Sequence, residues 1–187
     1  SVLKRKEQEV SRKMYELAIL KELGDRIGYS LNVQQIIDII TGSLRQFIDY
    51  CAVSYMFIEP EKILFRVDLD KSVNRKFIDD IKNRMVGALS ALSDKDLKKV
   101  PLEEVLTGAI LVEDFEEPVG SFFNIPLVIA GKLVGILTVA HTEPGLYKEE
   151  EMSIIYKITG QASQAVTKLQ EVVETEQRKL NAMVESM

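Results

Sequence analysis

Three polar side chains interrupt stretches of sequence that are otherwise apolar: Ser54 in CAVSYMFIE, Asn124 in SFFNIPLVI and Thr138 in KLVGILTVAH. Small-molecule sites are mostly apolar surfaces that carry a few placed polar groups, so these residues could line a binding site. Polar groups buried in a core usually find a partner, and a hydrogen-bonded core is the alternative interpretation. We predict a ligand-binding role for these three side chains and no catalytic residue.

The reactive side chains are too few for most site chemistry. Cys51 is the only cysteine, which excludes an internal disulfide and a thiolate metal cluster. His141 is the only histidine, and a single imidazole without a second histidine or a cysteine is a weak metal or haem ligand, so we predict a strand-end residue at the surface. AGKL lacks the remaining residues of a phosphate-binding loop and indicates a hairpin turn. We predict no metal site.

Length and charge limit the class of protein. The chain has 187 residues, 46% hydrophobic content, 28% charged content and a net charge of −5. These values suit one globular domain and give no attraction to nucleic acid. No apolar run reaches the ~20 residues that span a bilayer, so we predict no membrane insertion and a cytoplasmic location. Because the chain opens on Ser1 and stops inside a helical pattern, we expect a piece of a longer protein.

The N-terminal part reads as two helices. Leu3, Val10 and Leu17 repeat at intervals of seven and predict a helix over residues 3–27. Asn32, with Gln35 placed to reach back to it, predicts the N-cap of a second helix. The predicted core-facing residues of that second helix are Val33, Ile36, Ile37, Ile40, Leu44, Phe47 and Ile48.

The middle of the chain alternates short apolar runs with one amphipathic segment. CAVSYMFIE and KILFRVD predict two paired strands, and Ser72 predicts the cap of a helix that buries Phe77, Ile81, Met85 and Leu89. Ser93 with Asp96 resembles a second cap, and GAILVED predicts an edge strand. A hairpin that turns at AGK and an acidic helix start follow. Without regular strand–helix alternation, the pattern favours an antiparallel α+β fold.

The last helix, expected from about Lys148 to the end, carries an apolar repeat with 4-3 spacing. A period of 3.5 residues is typical of a left-handed coiled coil, and after about Leu169 too little chain follows to cover the stripe in cis. We predict a homodimer through the N- and C-terminal helices, with a solvated amphipathic helix as the alternative. The predicted dimer seam consists of Val166, Leu169, Val173, Glu176, Leu180 and Met183.

Residues 14–170 together resemble a GAF domain, the small-molecule sensory module of signalling proteins. The resemblance rests on ELAILKELGDRIGYSLNVQQIIDIITGSL, CAVSYMFIE and SFFNIPLVIAGKLVGILTVAHTEPGLYKEEEMSIIYKITGQASQAV. It implies a central antiparallel sheet of five to six strands with helices on both faces, flanked by long N- and C-terminal signalling helices. We accordingly divide the chain into a signalling helix (1–30), a GAF-like sensory domain (31–168) and a coiled-coil linker (169–187) that leads to a missing domain.

Strand alternation separates the two faces of the implied sheet. Ser54, Asn124 and Thr138 fall on one mixed face, whereas the opposite parity, including Tyr55 and Leu137, is almost purely apolar. We predict that the apolar face packs on the terminal helices and that the mixed face encloses a pocket under the middle helix. The predicted pocket residues are Ser54, Met56, Phe65, Phe77, Ile81, Phe122, Asn124, Ile136 and Thr138.

The resemblance predicts a non-catalytic cytoplasmic sensor that binds a small molecule and relays its presence through the terminal helices to an output domain. The alternative is a structural connector whose pocket is filled by Met56, Phe65, Phe77 and Phe122. A sulfoxide-reducing enzyme, as some GAF relatives are, is disfavoured because that chemistry uses several cysteines. Covalent pigment and cyclic-nucleotide binding are also disfavoured, and no cofactor or ligand is identified.

Overall fold

The structure, a computed structural model, describes residues 2–109, 111–112 and 117–186, and within them the side chains of residues 2–10 and from 33 onward. The described chain divides into two units. One is Ile37–Gln164, which holds the sheet, and the other is Ser1–Ile36 with Ala165–Met187, which holds the outer parts of the terminal helices. The elements are α1 (Val2–Phe47), β1 (Ala52–Ile58), β2 (Ile63–Leu69), α2 (Arg75–Ser93), β3 (Leu102–Gly108), β4 (Ser121–Ile129), β5 (Lys132–His141) and α3 (Glu149–Glu185).

The five strands form one sheet in the order β3-β2-β1-β5-β4. The pairs β1–β2, β1–β5 and β4–β5 are antiparallel, but β2–β3 is parallel, so the sheet is mixed rather than wholly antiparallel as predicted. The reason is α2, which carries the chain back along the sheet between β2 and β3, as a parallel pair requires. The predicted α+β class with helices on both faces is confirmed.

The edge strand lies earlier in the sequence than expected. β3 is Leu102–Gly108, whereas the predicted strand GAILVED begins only at its last residue. Residues 109, 111 and 112 are not in a strand, and residues 110, 113 and 114 of that prediction lie outside the described residues. The sequence analysis missed β3 because Glu103 and Glu104 interrupt its apolar pattern and its apolar positions are only partly buried.

The N-terminal segment is one helix rather than two. α1 runs without a break from Val2 to Phe47, so Asn32 lies inside the helix and the predicted cap is wrong. The apolar stripe from Val33 to Ile48 is buried as predicted, except for Phe47, which is 62% exposed. The break predicted between residue 27 and Asn32 is therefore absent from α1, which continues through Gly24 and Gly28 despite their low helix propensity.

The middle helix α2 has the predicted buried stripe but different caps. Asn74, not Ser72, is its N-cap, and its Oδ1 atom accepts a hydrogen bond of 2.8 Å from the backbone N–H of Phe77. The helix ends at Ser93, and Asp94 follows in the left-handed region with φ 54°. Ser93 therefore closes α2 instead of capping another helix. The residues buried along α2 are Phe77, Ile78, Ile81, Met85 and Leu89.

The β4–β5 hairpin turns where the sequence predicts. Ala130 and Gly131 have φ of 51° and 76°, the pattern of a two-residue type I′ turn, in which glycine meets no steric cost. At the other end of the hairpin, a Cβ on Gly120 would lie 2.1 Å from the carbonyl oxygen of Thr142, so only glycine fits there. α3 then begins with Glu149, Glu150 and Glu151 in its first turn, which suits the positive end of a helix dipole.

Candidate functional site

The predicted pocket face lies beneath α2. In the strand register Ser54 is opposite Thr138 and Thr138 is opposite Asn124, so the three polar residues form one row across β1, β5 and β4. Met56 is opposite both Phe65 and Ile136. α2 contacts β4 and β5. The structure thus brings the predicted polar row and the apolar residues beside it onto one face of the sheet.

The space between α2 and the sheet is filled by side chains. Five of the nine predicted pocket residues pack into one apolar core and are at most 1% exposed. Burial of each such side chain stabilises the fold by about 1.5–3 kcal/mol, so their packing alone explains their residue types. These five are Met56, Phe65, Phe77, Ile81 and Ile136.

Phe122 differs from the other predicted pocket residues because it lies at the rim. Its side chain is 41% exposed, and the guanidinium carbon of Arg84 lies 4.4 Å from its ring centroid. This cation–π contact joins α2 to the edge strand β4 from outside the core. Phe122 therefore does not fill the interior that the connector interpretation assigned to it.

The polar row is satisfied at one end and unsatisfied at the other. Thr138 Oγ1 donates a hydrogen bond of 2.5 Å to Asn124 Oδ1. Ser54 Oγ is fully buried and has no hydrogen-bond partner among the described residues. A buried hydroxyl without a partner costs free energy, about 1–3 kcal/mol. Ser54 is therefore the polar atom on this face that bound water or a ligand would stabilise.

Two clefts open at the two ends of α2. The cleft at the N-terminal end has a volume of about 280 Å³ and is lined by Asn74, Lys76, Phe77, Asp80 and the segment 117–119. The cleft at the C-terminal end has about 470 Å³ and is lined by Gly87, Ser90, Asp94, Lys95, Asp96 and Lys98. Only the first contains a predicted pocket residue, Phe77. The sequence feature nearest to this cleft was the predicted N-cap of α2, which was placed at Ser72, two residues before the observed cap Asn74.

The opposite face of the sheet carries a buried polar network that the sequence analysis missed. Asp68, which is 7% exposed, accepts hydrogen bonds from Arg66 Nε at 3.0 Å and from the Thr107 hydroxyl. Its Oδ2 atom also lies 3.5 Å from Thr41 Oγ1 of α1. The sequence offered one signal for this network, since Arg66 and Asp68 occupy alternate positions of β2 and therefore share a face. The register places them opposite Tyr55 and Val53 of β1.

Tyr55 extends this network towards the terminal helix. Its hydroxyl lies 2.7 Å from Thr41 Oγ1. Because the Thr41 hydroxyl has one proton and directs it to Asp68, the phenol donates to Thr41 and a chain of hydrogen bonds runs from Tyr55 to Asp68. Burial raises the pKa of Tyr55 above its ordinary value, so the phenol stays protonated. The ring of Tyr156 in α3 meets Phe123 on the same face, with centroids 5.5 Å apart.

The apolar repeat of α3 changes from buried to exposed along the helix. Ile155, Ala162 and Val166 are fully buried, and Thr159 is 3% exposed. The following apolar members, Leu169, Val173, Leu180 and Met183, are 37%, 42%, 57% and 68% exposed. Glu176 is also exposed and lies 3.8 Å from Lys179. The predicted seam therefore begins on a buried residue and continues as an exposed stripe.

His141 ends β5 as predicted, but it is buried rather than on the surface, with 7% exposure. Its Nε2 atom lies 3.1 Å from Lys71 Nζ and 3.5 Å from Asp49 Oδ2. Across the residues that the structure describes, no group of three histidine, cysteine or carboxylate side chains is placed to hold a metal ion.

The sequence matches a known family over most of its length. The profile of the GAF domain family matches residues 30–167. The chain belongs to the GAF domain family. GAF domains are generally sensory modules of signalling proteins. No curated protein matches the chain.

A solved structure is also similar to this GAF domain. It is the crystal structure of the GAF domain from Acinetobacter phosphoenolpyruvate-protein phosphotransferase, with 14% identity and a TM-score of 0.38. The likeness covers 78% of this chain and 94% of that one. Within the described part of the GAF domain, no helix is long and apolar enough to cross a membrane.

Proposed function

We propose that this GAF domain is a non-catalytic cytoplasmic module that senses a small molecule and pairs two copies of the chain through their terminal helices. A ligand that binds one arrangement of the helices better than another shifts the population towards that arrangement. Couplings of about 1–3 kcal/mol are typical of such systems and suffice to control an output domain downstream.

The observation that carries the proposal is the exposed apolar stripe of α3. Leu169, Val173, Leu180 and Met183 continue the spacing of residues that are buried earlier in the same helix. Exposed apolar side chains at coiled-coil spacing are stabilised when the same positions of a second helix cover them. A two-fold pair satisfies this because each copy offers the same surface.

The cleft at the N-terminal end of α2 supports ligand binding at the rim rather than inside the core. Its floor is the buried Phe77, and charged side chains of Lys76, Asp80 and Glu117 line it. Its volume, about 280 Å³, is slightly smaller than the ~300–1,000 Å³ of sites for drug-sized ligands. We therefore expect a small polar metabolite rather than a large cofactor.

The connector without a ligand is the second candidate, and the filled core beneath α2 favours it. Met56, Phe65 and Phe77 are at most 1% exposed, as that hypothesis requires, although Phe122 lies outside the interior. In this case the domain transmits motion between its terminal helices, and the cleft has no physiological occupant.

Native mass spectrometry of freshly purified protein tests both parts of the proposal in one spectrum. We expect the mass of a dimer that carries additional small-molecule mass. Val119→Trp, which fills the cleft, should remove the additional mass and leave the dimer, whereas Val128→Trp, at a 42% exposed position of β4, should change neither. A dimer of bare chains would favour the connector, and a bare monomer would contradict both candidates.

A further inference from the structure

The loop between β5 and α3 is held by hydrogen bonds to β4, to the end of β5 and to the segment between α1 and β1. Ser121 Oγ donates to the carbonyl oxygen of Glu143 at 2.7 Å and accepts from the backbone N–H of Leu146 at 3.1 Å. His141 Nδ1 accepts from the backbone N–H of Glu143 at 2.9 Å. The Tyr147 hydroxyl donates to the carbonyl oxygen of Asp49 at 3.1 Å. These contacts fix the direction in which the chain enters α3.

The imidazole of His141 faces more donors than it can accept from. The Glu143 N–H approaches Nδ1, and the Lys71 ammonium lies 3.1 Å from Nε2. A neutral imidazole has one unprotonated nitrogen and an imidazolium has none. The neutral ring therefore satisfies one of the two donors, and the protonated ring satisfies neither. The Glu143 hydrogen bond requires the tautomer with its proton on Nε2, where Asp49 Oδ2 lies 3.5 Å away, and a second proton on Nδ1 then breaks that bond.

Asp49 and Lys71, the charged groups beside the ring, keep their charges across the pH range in which histidine side chains ordinarily titrate. The hydrogen bond of 2.6 Å from Lys71 holds the pKa of Asp49 below its ordinary value, and the same bond raises the pKa of Lys71. Burial raises the pKa of Tyr147. Cys51 lies close by, with its Sγ atom 3.8 Å from the Thr142 hydroxyl. Histidine is the side chain whose ordinary titration falls between about pH 5 and 8.

We propose that His141 is a pH-responsive latch: neutral, it ties the β5–α3 loop to the end of β5 through the Glu143 N–H, and protonated, it releases that loop. In the protonated state Asp49 remains as the ring's acceptor at 3.5 Å, while Lys71 becomes a like-charged neighbour. The Glu143 N–H must then turn to water. Acidification thus loosens the segment that sets the start of α3, independently of any ligand in the α2 cleft.

The test follows two observables between about pH 7.5 and pH 5.5, the range in which histidine usually titrates. Nitrogen NMR of the ring reports protonation without ambiguity, because His141 is the only histidine in the sequence. Amide hydrogen exchange, corrected for the intrinsic effect of pH, reports release of the Glu143 N–H. The Gly120 amide, which donates to the His141 carbonyl oxygen at 2.9 Å, is the internal control because ring protonation does not touch it.

The matched variant is His141→Asn. An asparagine side chain accepts a hydrogen bond from the backbone N–H two residues on and does not titrate, so it retains the tie to residue 143. In the unmodified chain we expect ring protonation and exchange at Glu143 that is at least about tenfold faster at the lower pH, with Gly120 unchanged. His141→Asn should remove the acceleration.

Three results would overturn the latch. One is a ring that remains neutral at the lower pH, which the unmodified chain reports even if the variant fails to fold. Another is a protonated ring with unchanged exchange at Glu143. The third is an equal acceleration in His141→Asn, which would assign the pH response to other groups.

Discussion

The two faces of the central sheet bury polar atoms in opposite ways. Under α2, Ser54 Oγ has no hydrogen-bond partner in the described part of the chain, and Thr138 Oγ1 donates to Asn124 Oδ1. On the other face, Asp68 gathers hydrogen bonds from Arg66 and Thr107, in reach of Thr41. The face that joins the terminal helix therefore adds directional bonds at Asp68 to its apolar packing, whereas the apolar packing under α2 leaves the Ser54 hydroxyl without a partner among the described residues.

This difference has a functional meaning. A network that is fully satisfied fixes one geometry, since every member loses free energy when it moves. An unsatisfied hydroxyl leaves free energy to be gained by water or a ligand. We therefore expect substitutions on the helix-facing side to lower stability and those at Ser54 to raise it.

The largest expected effect is at Asp68. Asp68→Ala removes the carboxylate that accepts from both Arg66 Nε and the Thr107 hydroxyl, and removing one partner of a buried charged pair typically costs about 3–5 kcal/mol. We expect the free energy of unfolding, measured in urea, to fall by about 3 kcal/mol. Asp68→Asn keeps the shape and one acceptor, so its loss should be clearly smaller. Equal losses of less than about 1 kcal/mol would show that the network does not hold this face.

Tyr55→Phe should have an intermediate effect, since it removes one hydrogen bond, to Thr41, and leaves the ring in place. We expect a loss of about 1 kcal/mol in the free energy of unfolding at neutral pH. Because the folded-state pKa of Tyr55 is raised, its contribution is fully present below the unfolded-state pKa of about 10 and is lost as pH rises towards the folded-state value.

The alkaline part of that prediction needs the buried Tyr147 as a comparison, because its pKa is raised as well. Each single change to phenylalanine should flatten the decline in stability above about pH 10 in part, and the double change should flatten it further. A decline that neither variant alters would place the alkaline response elsewhere.

The smallest effects come from the polar row under α2. Ser54→Ala removes an unpartnered buried hydroxyl and should raise the free energy of unfolding by about 1 kcal/mol. Thr138→Val, in the neighbouring strand, takes the donor from Asn124 and should lower it by a similar amount. Thermal and urea unfolding of the two variants side by side provide the comparison. A destabilised Ser54→Ala would indicate that bound water or a ligand satisfies Ser54.

The elements that could be predicted from the sequence are those in which the spacing of apolar or turn-forming residues alone determines the local structure. The buried stripe of α2 at Phe77, Ile81, Met85 and Leu89 and the turn at Ala130 and Gly131 follow from local rules. Neither depends on which other element lies nearby. The same locality explains why the polar row at Ser54, Asn124 and Thr138 was assigned to one face.

The missed features depend on tertiary context. Ser72 and Asn74 are both residue types that favour the N-cap position. The path of the chain after the end of β2 decides which of them starts α2. α1 continues through Gly24 and Gly28, against their low helix propensity. The network at Asp68 needs Thr107 from a strand that the sequence analysis placed too late. The role of the pocket residues stays a prediction, because side-chain packing under α2 and ligand binding demand the same residue types.

The exposed apolar stripe of α3, Leu169, Val173, Leu180 and Met183, is the surface through which two copies of the chain would pair. Glu176 is the one charge within that stripe, and sedimentation equilibrium of Glu176→Leu tests the pairing directly. If two copies pair there, the dimer dissociation constant should fall by at least about tenfold. The matched Glu171→Leu, on the outward side of the helix, should change it less than about twofold. No tightening in Glu176→Leu, or equal tightening in both variants, would contradict the seam.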